Sequence, residues 1–272
     1  MVKEITEKTL RDAIRKTRRA VVKVGSSVLI GRGGQLSHQA LIGIAKEIAF
    51  FQKRGIETIF VSSGAIASGM SHLGFARRPQ RLSELQACAA IGQPILMQLY
   101  QKALASARLQ VAQVLLTRND LEDPVCFLNA RHTLDELLHR EIIPIINEND
   151  TVVVEEIRVG DNDNLAALVA KLVHADLLVL LTDRDGLYTA DPRRQRGARR
   201  IRLVEDFKKA ASAARDTDKA SSTGGMKTKL EAAHKVSELG IPTIIADGRD
   251  RRILEKILSG KPVGTLLFPR RR

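Results

Sequence analysis

The sequence has little of several features that mark particular protein classes. Its two cysteines, Cys88 and Cys126, cannot build a disulfide framework or complete a zinc site alone. Tryptophan is absent and aromatic residues make up 3% of the chain, so the stacking platforms of single-stranded nucleic-acid binders are missing. No apolar run reaches the roughly 20 residues that span a bilayer, and Glu4, Glu7 and Asp12 interrupt the basic start without a signal core. We therefore expect a cytoplasmic protein without a membrane partner.

The composition is that of a folded protein with a basic surface. Of 272 residues, 44% are hydrophobic and 28% charged, which excludes a disordered or fibrous chain. An excess of Lys and Arg over Asp and Glu gives a formal net charge of +13. Part of it lies in the runs 193–202 and 270–272, which are typical of solvated faces, with nucleic-acid contact as the sharper alternative. Residues 1–19 form a basic extension for which we predict a short amphipathic helix.

Short aliphatic and β-branched runs alternate with segments of helical periodicity. The predicted strands are Ala20–Val24, Thr58–Val61, Val111–Leu116, Ile142–Ile146, Leu177–Leu181 and Thr243–Ala246. They are almost continuously apolar, which is typical of parallel strands buried on both faces. Ser37–Lys53 and Asn129–Arg140 are predicted helices because their leucines and isoleucines recur at helical spacing. The fold class is therefore α/β, a three-layer α/β/α sandwich with a mainly parallel central sheet, and residues 20–272 form one unit.

Two glycine-containing polar segments directly follow the first two strands. Lys23–Ser27 combines a lysine, a glycine and hydroxyl groups, and Ser62–Ala65 places small residues at a strand-to-helix junction. Such segments let the backbone approach a phosphate, and a helix N-terminus favours a negative group. Each could also be an ordinary turn or helix start. Because parallel strands place ligands at their carboxyl ends, together they favour two anion cradles.

Two runs rich in carboxylate and amide side chains follow the fourth predicted strand. Asn147–Asp150 and Gly160–Asn164 flank Thr151–Val159, whose alternation predicts a hairpin, and the second run opens a helix predicted over Leu165–Leu172. Helix capping explains one or two of these residues but not both runs. We interpret them as groups that hold an amino acid's amine and carboxylate or that position a lysine.

The fourth polar region has two parts. Thr182 and Asp183 follow the most apolar strand, and Thr223–Lys229 opens another helix with Gly-Gly and two lysines after a small-residue segment, Ser212–Gly225, that we interpret as a mobile loop. No Walker A, G-x-G-x-x-G, H-E-x-x-H or G-x-S-x-G motif is present. Phosphoryl transfer needs positive charges and amides around an in-line transition state rather than a nucleophilic side chain. The six histidines lack metal-ligand spacing, so we interpret them as structural.

These segments together resemble the amino acid kinase family. The resemblance rests on VVKVGSSVL, VSSGAIASG, PIINENDTV, VGDNDNLAALVA, LLTDRDGLYTADPR and TGGMKTKLEAA, and covers the chain from about Ala20 to Phe268. INEND, VGDNDNL and TDRDGLYTADPR are similar to the members that act on glutamate rather than to the acetylglutamate, aspartate, carbamate and uridylate kinases. The implied activity is ATP-dependent phosphorylation of the side-chain carboxylate of L-glutamate to L-glutamyl 5-phosphate, the first step of proline biosynthesis, with Mg²⁺ carried by ATP and no metal site of the protein itself.

The resemblance also implies roles for individual residues. Lys23 and Lys229 would stabilise the migrating phosphoryl group, Asp163 would hold both lysines, and Gly25 and Gly64 would donate backbone amides. Glutamate would be bound by Ser63, Asp150 and Asn162, in the N-terminal half. ATP would be bound, mainly in the C-terminal half, by Lys23, Thr182, Asp183, Thr223, Gly224, Gly225, Met226, Lys227, Thr228 and Lys229. Lys227 is a second candidate beside Lys229, and Lys229 matches the family position.

Regulation and assembly are implied by the resemblance alone. It implies feedback inhibition by proline and a homodimer or homotetramer. Many members carry a C-terminal PUA domain, and we expect none in this sequence. Two alternatives stay open: a basic nucleic-acid-binding protein that reuses the scaffold without catalysis, and a kinase whose acceptor is N-acetylglutamate. A carboxylate such as Asp150 favours an acceptor with a free amine, and we do not expect a nucleic-acid partner.

Overall fold

The computed structural model describes residues 6–31, 35–153, 162–192, 195–215 and 225–268. Its strands are β1 (Arg19–Val24), β2 (Glu57–Val61), β3 (Val111–Leu116), β4 (Ile143–Glu148), β5 (Leu177–Thr182), β6 (Leu203–Val204), β7 (Thr243–Asp247) and β8 (Thr265–Leu267). The six predicted strands are confirmed to within two residues at either end. The short strands β6 and β8 were not predicted.

The helices are α1 (Glu7–Ile14), α2 (Ser26–Leu29), α3 (His38–Lys53), α4 (Ala65–His72), α5 (Leu82–Ala105), α6 (Arg118–Glu122), α7 (Pro124–His139), α8 (Asn162–Leu172), α9 (Phe207–Arg215), α10 (Met226–Ser237) and α11 (Ile253–Leu258). Helix α1 confirms the helix predicted within the N-terminal extension. No helix in the described ranges combines the length and the apolar character that a membrane crossing needs.

Three predicted boundaries were wrong, and local chemistry explains one of them. Helix α7 starts before the predicted Asn129, because Asp123 accepts hydrogen bonds from two amides of its first turn and a proline occupies the first helical position. Helix α8 starts at Asn162 rather than Leu165, so Asn162, Asp163 and Asn164 of the second polar run lie in its first turn, whereas Gly160 and Asp161 lie outside the described residues. Helix α9 includes the beginning of the predicted loop Ser212–Gly225, whose part 216–224 lies outside the described residues, as do 154–159 of the predicted hairpin.

The strands form one eight-stranded sheet in the order β3-β4-β2-β1-β5-β7-β8-β6. Neighbouring strands are parallel except for the antiparallel pair β7–β8. Strand β1 lies between β2 and β5, so strands β2 to β4 lie on one side of it and β5 to β8 on the other. In open α/β sheets this switch in strand order opens a crevice at the carboxyl ends of the strands, where ligands bind.

Two hydrophobic layers cover the sheet and confirm the three-layer architecture. Val22 of β1 belongs to the cluster formed with α1, α3, α5 and α11, whereas its neighbour Val21 belongs to the cluster formed with α7, α8 and α10. Both valines are 0% exposed. Because successive side chains of a strand point to opposite faces, continuous apolar runs are required here.

Candidate active site

An open cleft lies at the carboxyl ends of β1, β2, β4 and β5. It is lined by residues from each of the four polar regions. These include Lys23, Gly25, Ser26, Ser27, Ser63, Gly64, Arg78, Asn147, Asp150, Asn162, Thr182, Asp183 and Lys229. The sheet therefore brings together polar segments that are far apart in the sequence.

One buried carboxylate joins two lysines beside the cleft. Lys23 Nζ donates to Asp163 Oδ1 at 2.6 Å, and Lys229 Nζ donates to Asp163 Oδ2 at 3.0 Å. Thr228 Oγ1 also donates to Oδ2, at 2.8 Å. The exposed fraction is 4% for each lysine and 0% for Asp163. Lys23 lies at the end of β1, Asp163 in the first turn of α8 and Lys229 in the first turns of α10, so three elements fix the cluster.

The charge balance of this cluster keeps Asp163 ionised. Burial by itself would raise the pKa of Asp163, but the ammonium groups of Lys23 and Lys229 and the hydrogen bonds from Lys23 and Thr228 hold that pKa well below its usual range. One negative charge serves two positive ones, so the cluster carries a net positive charge toward the cleft. Such a charge suits a ligand with several anionic oxygens.

The two candidate glycines differ in what they offer. The Gly25 N–H donates to Leu181 O at 3.0 Å and so extends the β1–β5 ladder, whereas its donation to a phosphate stays a prediction. A Cβ on Gly25 would lie 3.5 Å from Leu181 O and 3.8 Å from Lys23 Nζ, which are ordinary contact distances, so packing does not require glycine at this position. Gly64 precedes α4 with φ +105°, a left-handed conformation that favours glycine.

A cluster of amides and hydroxyls forms the side of the cleft next to β2 and β4. Asn162 Nδ2 donates to Ser62 O at 2.9 Å, to Ser63 Oγ at 3.0 Å and to Asn147 Oδ1 at 3.0 Å. Asp150 lies on the same side, and burial raises its pKa to about 6, with the charge of Arg78 opposing the rise. The cluster offers acceptors and one titratable carboxylate.

The opposite side of the cleft belongs to β5 and the loop after β1. Asp183 Oδ1 accepts from Thr182 Oγ1 at 3.2 Å and from Ser27 Oγ at 3.3 Å. Of the candidate residues at the start of α10, Thr223 and Gly224 lie outside the described residues. Gly225 precedes the first residue of α10.

Lys227 and Met226 lie away from the cleft. The Lys227 side chain is 69% exposed and Nζ lies 3.8 Å from Glu231. Met226 packs against the core layer formed with α7, α8 and α10. Lys229, two residues further along α10, reaches the carboxylate of Asp163. The geometry therefore distinguishes the two candidate lysines in favour of Lys229.

Asn147, from the first amide-rich run, lines the cleft. Two further residues near the site were not among the candidates. Arg78 lies in the loop between α4 and α5, where no periodicity points to it. Gln93 lies in the middle of α5 and accepts a hydrogen bond from Asn147; a polar residue at a buried helical position was its signal.

Comparisons with known proteins agree with this architecture. The amino acid kinase family matches residues 18–247. Glutamate 5-kinase from Azoarcus sp. (strain BH72) is 49% identical over 261 residues, covering 95% of this chain and 70% of that protein. Glutamate 5-kinase from Citrifermentans bemidjiense is 48% identical over 260 residues, with coverages of 95% and 70%.

Two solved structures share the fold at low sequence identity. UMP kinase from Bacillus anthracis has a TM-score of 0.62 at 19% identity, covering 93% of this chain and 96% of its own. Carbamate kinase from Giardia lamblia bound to AMP-PNP has a TM-score of 0.65 at 16% identity, with coverages of 94% and 99%. Family match, sequence relatives and fold agree, and the chain belongs to the amino acid kinase family.

Proposed function

We propose that this protein transfers the terminal phosphoryl group of ATP to the side-chain carboxylate of L-glutamate, forming L-glutamyl 5-phosphate and ADP, the first step of proline biosynthesis. The observation that carries the proposal is the pair of buried ammonium groups held by one carboxylate at the cleft. The relatives named glutamate 5-kinase support glutamate as the acceptor.

The chemistry matches what the cleft contains. The acceptor is a carboxylate with a pKa of about 4.3, so it is ionised at neutral pH and needs no general base. A carboxylate oxygen forms a bond to the γ-phosphorus while the bond from phosphorus to the departing ADP oxygen breaks. Lys23 and Lys229 offset the negative charge of the transferring group. Asp163 holds the lysines and is not a base, because its oxygens already accept from both ammonium groups.

The two sides of the cleft divide the substrates. Ser63, Asp150 and Asn162 would bind glutamate, with the carboxylate of Asp150 beside the substrate ammonium group. Thr182 and Asp183 would contact the nucleotide, together with Lys23 and the start of α10. The N-terminal half of the chain thus supplies most of the glutamate site and the C-terminal half most of the ATP site.

The donor set fits Mg²⁺ that arrives with the nucleotide. Both oxygens of Asp163 are engaged by donors, whereas the exposed Asp183 carboxylate lies on the nucleotide side of the cleft and would suit a hydrated, phosphate-bound cation. When bound, Mg²⁺ supplies neutralisation of phosphate charge.

Regulation and assembly complete the proposal. From the family resemblance, we expect inhibition by proline and a homodimer or homotetramer, and we place the reaction in the cytoplasm, where both substrates are made. Adding proline to the assay below and measuring the molar mass by light scattering would test the first two expectations.

The decisive experiment measures ADP release by purified protein with Mg-ATP and a panel of acceptors. The panel contains L-glutamate, N-acetylglutamate, L-aspartate, carbamate and UMP, and hydroxylamine traps any acyl phosphate. Release that depends on glutamate and yields a hydroxamate supports the proposal. Activity with another acceptor would keep the kinase and overturn the acceptor. Folded protein that is inactive throughout, yet binds nucleic acid with steep salt dependence, would favour the non-catalytic alternative.

A further inference from the structure

We propose that Gln93 is a positioning residue that holds Asn147 and, through it, Asn162 in place, so that the cleft presents an acceptor to the free α-ammonium group of the substrate. Gln93 lies on α5 and does not line the cleft. It would act through Asn147 and Asn162. The inference rests on the proposed glutamate acceptor and adds the device by which a free amine is recognised.

The three amides form a directed chain of hydrogen bonds. Asn147 Nδ2 donates to Gln93 Oε1 at 2.9 Å, and Asn162 Nδ2 donates to Asn147 Oδ1 at 3.0 Å. The exposed fractions of Gln93 and Asn147 are 6% and 2%. Because each amide has a donor end and an acceptor end, the Ser62 carbonyl sets the direction of Asn162 and so of Asn147, and Gln93 supplies the acceptor that Asn147 then needs. Gln93 Nε2 is buried and has no hydrogen-bond partner within the described part of the chain.

The chain ends on an acceptor. Asn162 Nδ2 also donates to Ser62 O and Ser63 Oγ, which directs its NH₂ group toward the end of β2. Asn162 Oδ1 is buried and has no hydrogen-bond donor within the described part of the chain. A buried acceptor without a donor costs free energy, so its retention in a residue that lines the cleft points to a donor supplied by the ligand.

An ammonium group is the donor that this arrangement fits. It offers three N–H groups and a positive charge, which an amide oxygen and the Asp150 carboxylate on the same side of the cleft both favour. A reversed Asn162 amide would instead direct N–H groups at the ammonium. An acetylated nitrogen keeps one N–H and loses the charge. An Asn162 amide held in this direction therefore favours glutamate over its N-acetylated form.

A second contact from the same helix holds the end of the neighbouring strand β2. Tyr100 lies two turns after Gln93 on α5, and its hydroxyl is 2.8 Å from Ser62 Oγ. Tyr100 and Ser62 are both 0% exposed. The buried face of α5 thus reaches β4 through Gln93 and β2 through Tyr100, which keeps the partners of Asn162 in place.

The test compares glutamate with glutarate, which is glutamate without its amino group. In Gln93→Leu the KM for glutamate should rise about tenfold to hundredfold, the range for losing a hydrogen bond to a charged group. The kcat should fall much less, and the inhibition constant of glutarate should stay unchanged. Gln93→Glu keeps an acceptor oxygen for Asn147 and should retain the wild-type KM. Gln98→Leu, the same change at an exposed position of α5, is the matched control.

The outcomes distinguish a failure of the proposed function from a failure of the role inferred for Gln93. Wild-type protein that fails to phosphorylate glutamate refutes the proposed function. Active wild-type protein with an unchanged glutamate KM in Gln93→Leu overturns the role of Gln93, as does an equal weakening of glutamate and glutarate or a failure of Gln93→Glu to restore the KM. If Gln93→Leu does not fold, Gln93→Asn replaces it, since its amide is one methylene too short to reach Asn147.

Discussion

Asp163 is the residue on which the charge balance of the cleft depends. Without its carboxylate, two ammonium groups would face each other in a buried setting, where unpaired charge is expensive. We predict that Asp163→Asn lowers kcat at least about 100-fold, because the lysines would move apart or lose a proton. Glutamate-dependent ADP release measures the effect.

The control for this substitution is a surface carboxylate with an ion pair of similar length. Glu122 lies 2.7 Å from Arg118 and is 54% exposed, so Glu122→Gln should leave kcat and stability nearly unchanged. A folded Asp163→Asn protein whose kcat stays within a factor of about three of the wild type would contradict the assigned role.

Asp150 gives the site a pH dependence whose direction can be worked out. Burial raises its pKa to about 6, so the carboxylate takes up a proton as the pH falls through that value. The neutral form no longer attracts the substrate ammonium group. We predict that the KM for glutamate rises as the pH falls from about 7 to about 5 and approaches the KM of Asp150→Asn.

Asp150→Asn is also the control for titration of ATP, because the variant and the wild type are assayed with the same nucleotide at each pH. A parallel rise of KM in wild type and Asp150→Asn would show that another group titrates. Stability should change with pH in the opposite direction to affinity. The folded state binds the Asp150 proton at a higher pH than the unfolded state, so the unfolding free energy falls as the pH rises through about 6. Asp150→Asn should remove that slope in urea titrations.

Which site residues could be predicted from the sequence depends on what positions them. Lys23 and Asp163 lie where a strand ends or a helix begins, and a strand and helix pattern reveals such positions. The engagement of the Gly25 amide could not be seen, because it depends on how far the β1–β5 ladder extends. Arg78 lies in a loop without periodicity, and Gln93 becomes visible only when its partner strand is known.

At the scale of elements, α4 and α5 approach each other more closely than side chains allow. A Cβ on Gly69 would lie 1.8 Å from Cys88 O, and a Cβ on Gly92 would lie 1.8 Å from Ala65 O. Both positions require glycine because of the backbone of the other helix. Since α4 starts at the cleft and α5 carries Gln93, this contact holds both sides of the amide cluster together.

The close contact predicts opposite effects of one substitution at two sites. Gly92→Ala should lower the free energy of unfolding by about 2 kcal/mol or more, because the helices must separate. Gly43→Ala, in α3, meets nothing within 4 Å and should raise it by about 0.5–1 kcal/mol, since alanine is the better helix former. Urea unfolding measures both, and equal effects would contradict the packing argument.

Elements were predictable where burial imposes a period. The central strands β1 and β5 are buried on both faces, so their apolar runs mark them almost to the residue. Strand β6 has two residues and β8 three, which is too short for any period. The start of α7 depends on the cap at Asp123 rather than on its apolar face, and caps outweigh periodicity at helix ends.

At the scale of the whole molecule, the parallel sheet determines where the chemistry lies. Lys23 and Asp163 are 140 residues apart, and Asp163 and Lys229 are 66 residues apart, yet they meet because β1, α8 and α10 converge at the carboxyl side of the sheet. The sequence predicts the edge at which they meet. Their distances depend on helix packing, which no sequence pattern contains. The net charge of +13 further favours approach of two anionic substrates.

The amino side of the sheet carries a contact that joins the start of the chain to its last strand. Arg11 of α1 is 5% exposed and donates through Nη1 to Lys261 O at 2.9 Å and to Val263 O at 3.4 Å, in the turn before β8. Glu7 accepts from its Nε at 2.8 Å. Because α1 ends shortly before β1 begins, this contact lies away from the cleft.

A substitution of Arg11 should therefore change stability without changing catalysis. We predict that Arg11→Ala lowers the free energy of unfolding by about 2 kcal/mol, the scale of losing hydrogen bonds from a charged donor to backbone carbonyls, while kcat stays unchanged. Urea unfolding and the glutamate assay measure the two quantities. Lys8→Ala, at an exposed position of the same helix, should change neither. A fall in kcat without loss of stability would mean that α1 influences the cleft directly. That result would contradict the view that the amino side of the sheet serves stability and the carboxyl side serves catalysis.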